Sequence, residues 1–154
     1  MDYKYLNKWA LDKQIARFEG KNKGNLMWFS DESYKLVWVT DGYGLYSVPK
    51  SAWFVDFKQP PNNGDLVESF KRKCAEESCG AMRTQMTCTL DDGRKVEIFE
   101  LSNGDTVWID VNLLKPLGLK KFDYAFTGTS KNEPLFVTNG YGEMVALMMP
   151  IRHD

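Results

Sequence analysis

Three cysteines and one histidine are the side chains of this chain most suited to metal or nucleophilic chemistry. Cys74 and Cys79 lie close together, Cys88 follows, and the only imidazole, His153, stands near the other end of the sequence. A tetrahedral zinc site needs four nitrogen or sulfur ligands, so this set predicts no metal centre. An odd number of cysteines argues against a secreted disulfide framework and for a reducing, cytoplasmic setting. General base work would fall to His153 alone, and no nucleophile elbow or phosphate-cradling glycine loop occurs. Asp91 and Asp92 precede Gly93, which is turn chemistry and needs no catalytic explanation. The residues therefore predict a protein that is not an enzyme and uses no cofactor.

The elements that position these residues follow from composition and periodicity. The chain has 154 residues, 43% of them hydrophobic and 14% aromatic, enough for one domain with a packed, strand-rich core. Twenty basic against 21 acidic side chains give a net charge of -1, so any contact with nucleic acid must come from local clustering. The opening residues Met-Asp-Tyr-Lys-Tyr-Leu lack the apolar core of a secretion signal. No apolar run approaches the length needed to cross a bilayer, so no membrane contact is expected.

Leu6, Trp9, Ala10, Lys13 and Arg17 recur at three- and four-residue spacing and predict a helix over 4–18, stopped by Gly20. Strand periodicity follows over 25–29, 34–40 and 43–48, with a short edge strand expected at 53–57. The run Gln59-Pro60-Pro61-Asn62-Asn63-Gly64 is the clearest break. Asp65, read as an N-cap with Glu68 three residues on, begins a helix to about 77. Strands are expected at 82–90, 95–101 and 106–111, a short helix interrupted at Pro116 over 112–119, and strands at 123–128, 135–138 and 144–149. The fold class predicted is α+β, in two halves at about 1–58 and 81–154, joined by a connection that holds the helix 65–77. Each half is a helix plus an antiparallel meander. Val39-Thr40-Asp41-Gly42-Tyr43-Gly44 recurs as Val137-Thr138-Asn139-Gly140-Tyr141-Gly142, which favours duplication of one unit over coincidence of turn chemistry.

A domain of two helix-plus-meander halves resembles those of the bacterial DNA sliding clamp, and two motifs carry the likeness. Thr40-Asp41-Gly42-Tyr43-Gly44-Leu45 resembles a Thr-Asp-Gly-His-Arg-Leu segment of that family, departing at Tyr43 and Gly44. Met148-Met149-Pro150-Ile151-Arg152 resembles its Met-Pro-Met-Arg ending, departing at Ile151. Residues from Trp108 to the end look like the closing half of a clamp domain, whereas 50–100 match nothing in it. In the family these motifs help form an apolar pocket for short peptides. The resemblance thus implies a single clamp-like domain with a peptide pocket at Thr40, Gly42, Leu45, Met149, Pro150 and Arg152. Leu45, Met148 and Met149 alternate along strands and are equally readable as core. The resemblance also implies basic residues that face DNA: Lys4, Lys8, Lys13 and Arg17 on the first helix, and Lys115, Lys120 and Lys121 near the second. They would hold phosphates without reading sequence.

The expected function is a non-enzymatic, clamp-like binding module for DNA-replication or other nucleic-acid-processing proteins, with DNA as a second candidate partner. A closed ring of six such domains would require a homo-oligomer. The alternative is a phage or mobile-element interaction protein that occupies a host replication or defence factor through exposed aromatics, for which Tyr3, Trp9, Trp28, Tyr43, Trp53 and Tyr141 are candidates.

Overall fold

A computed structural model describes residues 1–21, 26–118 and 124–153. Helix α1 covers Tyr3–Phe18 and starts where the Asp2 carboxylate accepts the Tyr5 N–H at 2.9 Å. Gly20, at φ 68°, closes it in the left-handed conformation that a residue without Cβ adopts freely. Helix α2 covers Asp65–Glu77. Asp65 is its first helical residue and not its cap: Gly64 precedes it, and the Asn63 side chain accepts the Asp65 N–H at 2.9 Å. Helix α3 is one turn, Val111–Leu114, capped by the Asp110 carboxylate and followed by a tighter turn at Lys115–Leu117. Pro116 has no N–H to extend the α-helical pattern, so the predicted helix over 112–119 is shorter, and Leu119 lies outside the described residues.

Among the described residues nine strands form one antiparallel sheet: β1 Met27–Asp31, β2 Leu36–Thr40, β3 Gly44–Pro49, β4 Cys79–Thr89, β5 Lys95–Leu101, β6 Thr106–Asp110, β7 Ala125–Gly128, β8 Leu135–Thr138 and β9 Met144–Met148. The spatial order is β1-β2-β3-β9-β8-β7-β4-β5-β6. Beyond the break at 59–64 the sheet holds two meanders, β4–β6 after α2 and β7–β9 after α3, because the turns at Gly93 and Gly104 fold 79–110 into two successive hairpins. The third meander, β7–β9, is inserted between the other two. Beyond β9 the chain leaves β3 and meets β6, where the Ile151 N–H donates to the Trp108 carbonyl at 2.8 Å. Strands β9 to β6 therefore curl around a shared core of Phe99, Leu101, Val107, Ile109, Leu135 and Met148. Residues 53–57 are extended but join no ladder: they run along α1, held by Asn7 to the Ala52 carbonyl and by Gln14 to the Asp56 carbonyl.

Alternation along β3 decides where the helices sit. Tyr46 and Val48 face Leu6 of α1, while Leu45 faces the opposite way, packing with Phe29, Trp38, Phe136 and Leu147 under Val67 and Cys74 of α2. The two long helices thus cover opposite faces of the sheet. Tyr46 is fully buried and its hydroxyl donates to the Leu113 carbonyl at 2.6 Å. Burial pushes this phenol well above its ordinary 10.0, and the nearby Asp41 carboxylate acts in the same direction. The folded chain keeps the Tyr46 proton at pH values where the unfolded chain loses it, so stability is unaffected below pH 10.0 and falls as pH rises beyond it. Alkaline unfolding monitored by circular dichroism is expected to show that slope, and Tyr46→Phe is expected to flatten it.

Candidate functional site

The two motifs of the sequence meet. Gly44 pairs with Met148, and the Met149 N–H donates to the Tyr43 carbonyl at 2.7 Å. The segment after β9 then crosses from the β2–β3 turn to the edge of β6, and beside it opens a groove of about 690 Å³. Asp41 and Tyr43 form one wall. Asp110, Asn112 and Leu113 form the other. Met149, Pro150, Ile151 and Arg152 supply the strap between them, and Arg94 of the β4–β5 turn closes one end.

The charges of the groove divide into committed and uncommitted groups. Asp41 accepts the Tyr43 and Gly44 N–H groups at 2.9 and 3.0 Å, and its second oxygen lies 3.6 Å from Lys13 Nζ. Asp110 caps α3 by accepting the Asn112 N–H at 2.9 Å. Arg94 reaches Asp92 at 2.7 Å, and the Arg94 backbone N–H, then its guanidinium, hold that carboxyl below the usual carboxylate range. Arg152 is exposed and makes no ion pair among the described residues. Tyr43 is 67% exposed, with its backbone fixed by Asp41. The groove thus offers an apolar strap, a presented aromatic ring and a free guanidinium.

Of the six pocket residues expected from the sequence, Met149, Pro150 and Arg152 line the groove. Thr40 and Leu45 do not. Thr40 is buried with its hydroxyl accepting the Gly42 N–H, and Leu45 points into the α2 face of the core. Gly42 shapes the turn at φ 95° without lining the groove. Asp41 and Tyr43 lay inside the quoted motif, Ile151 inside the second, and Asp110, Asn112 and Leu113 inside the segment from Trp108 that carries the likeness without being expected at a pocket; Arg94 carried no sequence signal, because only the curl of the sheet brings β4–β6 to the strap.

The literal repeat folds into two different turns. Thr40 pairs with Leu45 across four residues with Gly42 left-handed, whereas Thr138 pairs with Met144 across five, and there Gly142 takes φ 77°. Comparison with protein-family models, curated proteins and solved structures finds no match. No family assignment follows.

The basic residues expected to face DNA are dispersed. Lys8 pairs with Asp12 at 2.9 Å, and Lys13 is turned toward Asp41 and the Trp9 ring. Lys4, Arg17 and Lys115 are exposed, with Lys115 near the start of α1, where the Asp2 N–H bonds the Pro116 carbonyl at 2.8 Å. Lys120 and Lys121 lie outside the described residues. Among the aromatics expected at the surface, Tyr43 and Tyr141 are largely exposed, Tyr3 less so. Trp9, Trp28 and Trp53 are half-buried instead, because Trp28, Phe57 and Trp53 stack in series and Trp9 packs edge-on to Tyr46. His153 stacks on Trp108 with centroids 4.2 Å apart. No group of three metal-ligating side chains occurs among the described residues, and no helix there is long and apolar enough to cross a membrane.

Proposed function

We propose that this chain is a non-enzymatic binding module, clamp-like in the way its two motifs build one site, and that its groove receives a short extended segment of a partner protein. One observation carries the reading: residues about a hundred positions apart, Tyr43 and Met149 to Arg152, converge on a groove with an apolar strap, a presented aromatic ring and an uncommitted guanidinium. Methionine and aromatic rings suit adaptable peptide contacts, and Arg152 suits a peptide carboxylate or carbonyl. Partners among nucleic-acid-processing proteins of the cytoplasm, in a host or as targets of a mobile element, belong to this same proposal. A protein partner is favoured over DNA, since two of the four α1 cations are already paired within the chain.

The test is selection from a random peptide library followed by amide shift mapping. Selected peptides are expected to perturb Tyr43, Asn112, Met149 and Ile151, and Met149→Glu with Arg152→Glu is expected to weaken them by at least about tenfold, or ~1.4 kcal/mol. Peptides that map elsewhere, or that bind the double variant equally, would sink the reading. Leu45 is unsuited to this test, because a charge there would unfold the α2 face of the core before binding could be read.

A further inference from the structure

Helix α1 carries a second apolar stripe that the core leaves uncovered. Leu6, Ala10 and Gln14 are its buried residues, whereas Leu11, Ile15 and Phe18 recur at four- and three-residue spacing on the outer side. Phe18 is 71% exposed, and Phe54, at 83%, is held at the same side of the helix. The Asn7 side chain fixes it: its Oδ1 accepts the Phe54 N–H at 2.7 Å while its amide donates to the Ala52 and Tyr3 carbonyls at 2.9 and 2.8 Å. Trp53, Val55 and Phe57 turn inward from this segment, so alternation sends Phe54 out on a pinned backbone. A rigid, presented aromatic of this kind suits an interface anchor.

We infer that this face docks an acidic amphipathic helix from a partner protein, at a site separate from the groove. The length fits: from the level of Asn7 to Phe18 is eleven helical steps, roughly 16 Å or about three turns. Charge selects the occupant. Lys4 shares the stripe's side, Arg17 and Lys58 stand at its C-terminal end, and all three are exposed and make no ion pair among the described residues, whereas Lys8 and Lys21 are paired with Asp12 and Glu19. A second copy of this chain would bring those cations against their own kind. The carboxylates of Asp56 and Glu19 interrupt the basic rim, which disfavours a continuous anionic surface and suits a helix with acidic residues at discrete positions.

The probe is a synthetic helical peptide with leucine at three- and four-residue spacing and glutamate on its flanks, compared with its glutamate-to-lysine counterpart by fluorescence polarisation. The acidic peptide is expected to bind at least about tenfold tighter than the basic one, and to lose about tenfold on Phe54→Ser and again on Lys4→Glu with Lys58→Glu. Phe54 and both lysines are exposed, so retained circular dichroism and melting temperature certify these variants. Equal binding of the two peptides, no binding of the acidic one, or indifference to Phe54→Ser would overturn the inference. So would self-association in light scattering, or sedimentation with phosphatidylserine vesicles, that Phe54→Ser abolishes, since either gives the face to another occupant.

Discussion

Replacing Arg83 by methionine is expected to lower the unfolding free energy by about 3 kcal/mol, the low end of the cost of leaving one member of a buried ion pair alone, because the Arg83 end of the pair borders a surface groove. Glu97 alternates with Phe99 and Leu101 on the inward side of β5 and is only 7% exposed. Its two oxygens take the Arg83 guanidinium in a bidentate pair, the Nη2 bond at 2.6 Å, and Arg83 lies 6.0 Å from the centres of the Phe99 and Phe126 rings. Removing the guanidinium leaves a largely buried carboxylate facing those rings without its charged partner. The register of β4 shifts between Arg83, which pairs with Phe99, and Thr87, which pairs with Glu97, so the ion pair sits beside a β-bulge. Arg83→Met with Glu97→Leu is expected to recover most of the loss, because a matched apolar pair carries no desolvation cost. Urea unfolding of the two variants decides it. Equal loss in both would mean that shape, and not the uncompensated charge, is what the site requires.

The second large effect separates two glycines that occupy the same place in the repeated motif. At Gly44 an added Cβ would lie 2.7 Å from the Tyr46 ring carbon Cζ, inside any real contact distance. Tyr46 cannot step aside without giving up its bond to the Leu113 carbonyl and its place in the core. Gly44→Ala is therefore expected to cost about 1 to 3 kcal/mol for overpacking, plus about 1 kcal/mol for the hydrogen bond. At Gly142 a Cβ meets nothing within 4 Å, and the constraint is φ 77° alone. Asparagine tolerates that conformation, so Gly142→Asn is expected to cost less than about 1 kcal/mol while Gly44→Asn unfolds the site. Similar melting temperatures for the two asparagine variants would mean that the close approach to Tyr46 is relieved by a backbone shift.

Local chemistry is legible in the order of the residues. The spacing of Leu6 and Ala10, the Gly20 stop, the glycine turns at Gly93 and Gly104 and the strand runs around them all express interactions within a few residues. Those elements form within a residue or two of their expected bounds, β4 excepted, which begins at Cys79. The two motifs also point to the neighbourhood of the groove, since Tyr43, Met149, Pro150 and Arg152 all belong to them.

Partner choice among the strands is a long-range matter. Whether β3 pairs with β9 and β7 with β4 depends on which apolar faces fit across the whole core, and no short-range signal encodes it. That pairing joins the three meanders into one sheet, turns Leu45 into the α2 face of the core and carries Arg94 and Asp110 to the strap. Residue order therefore sets the elements, their turns and the motifs that approach the groove. Which side of each strand meets the core is settled only when the sheet assembles, because a period of two makes both faces available until a neighbour claims one.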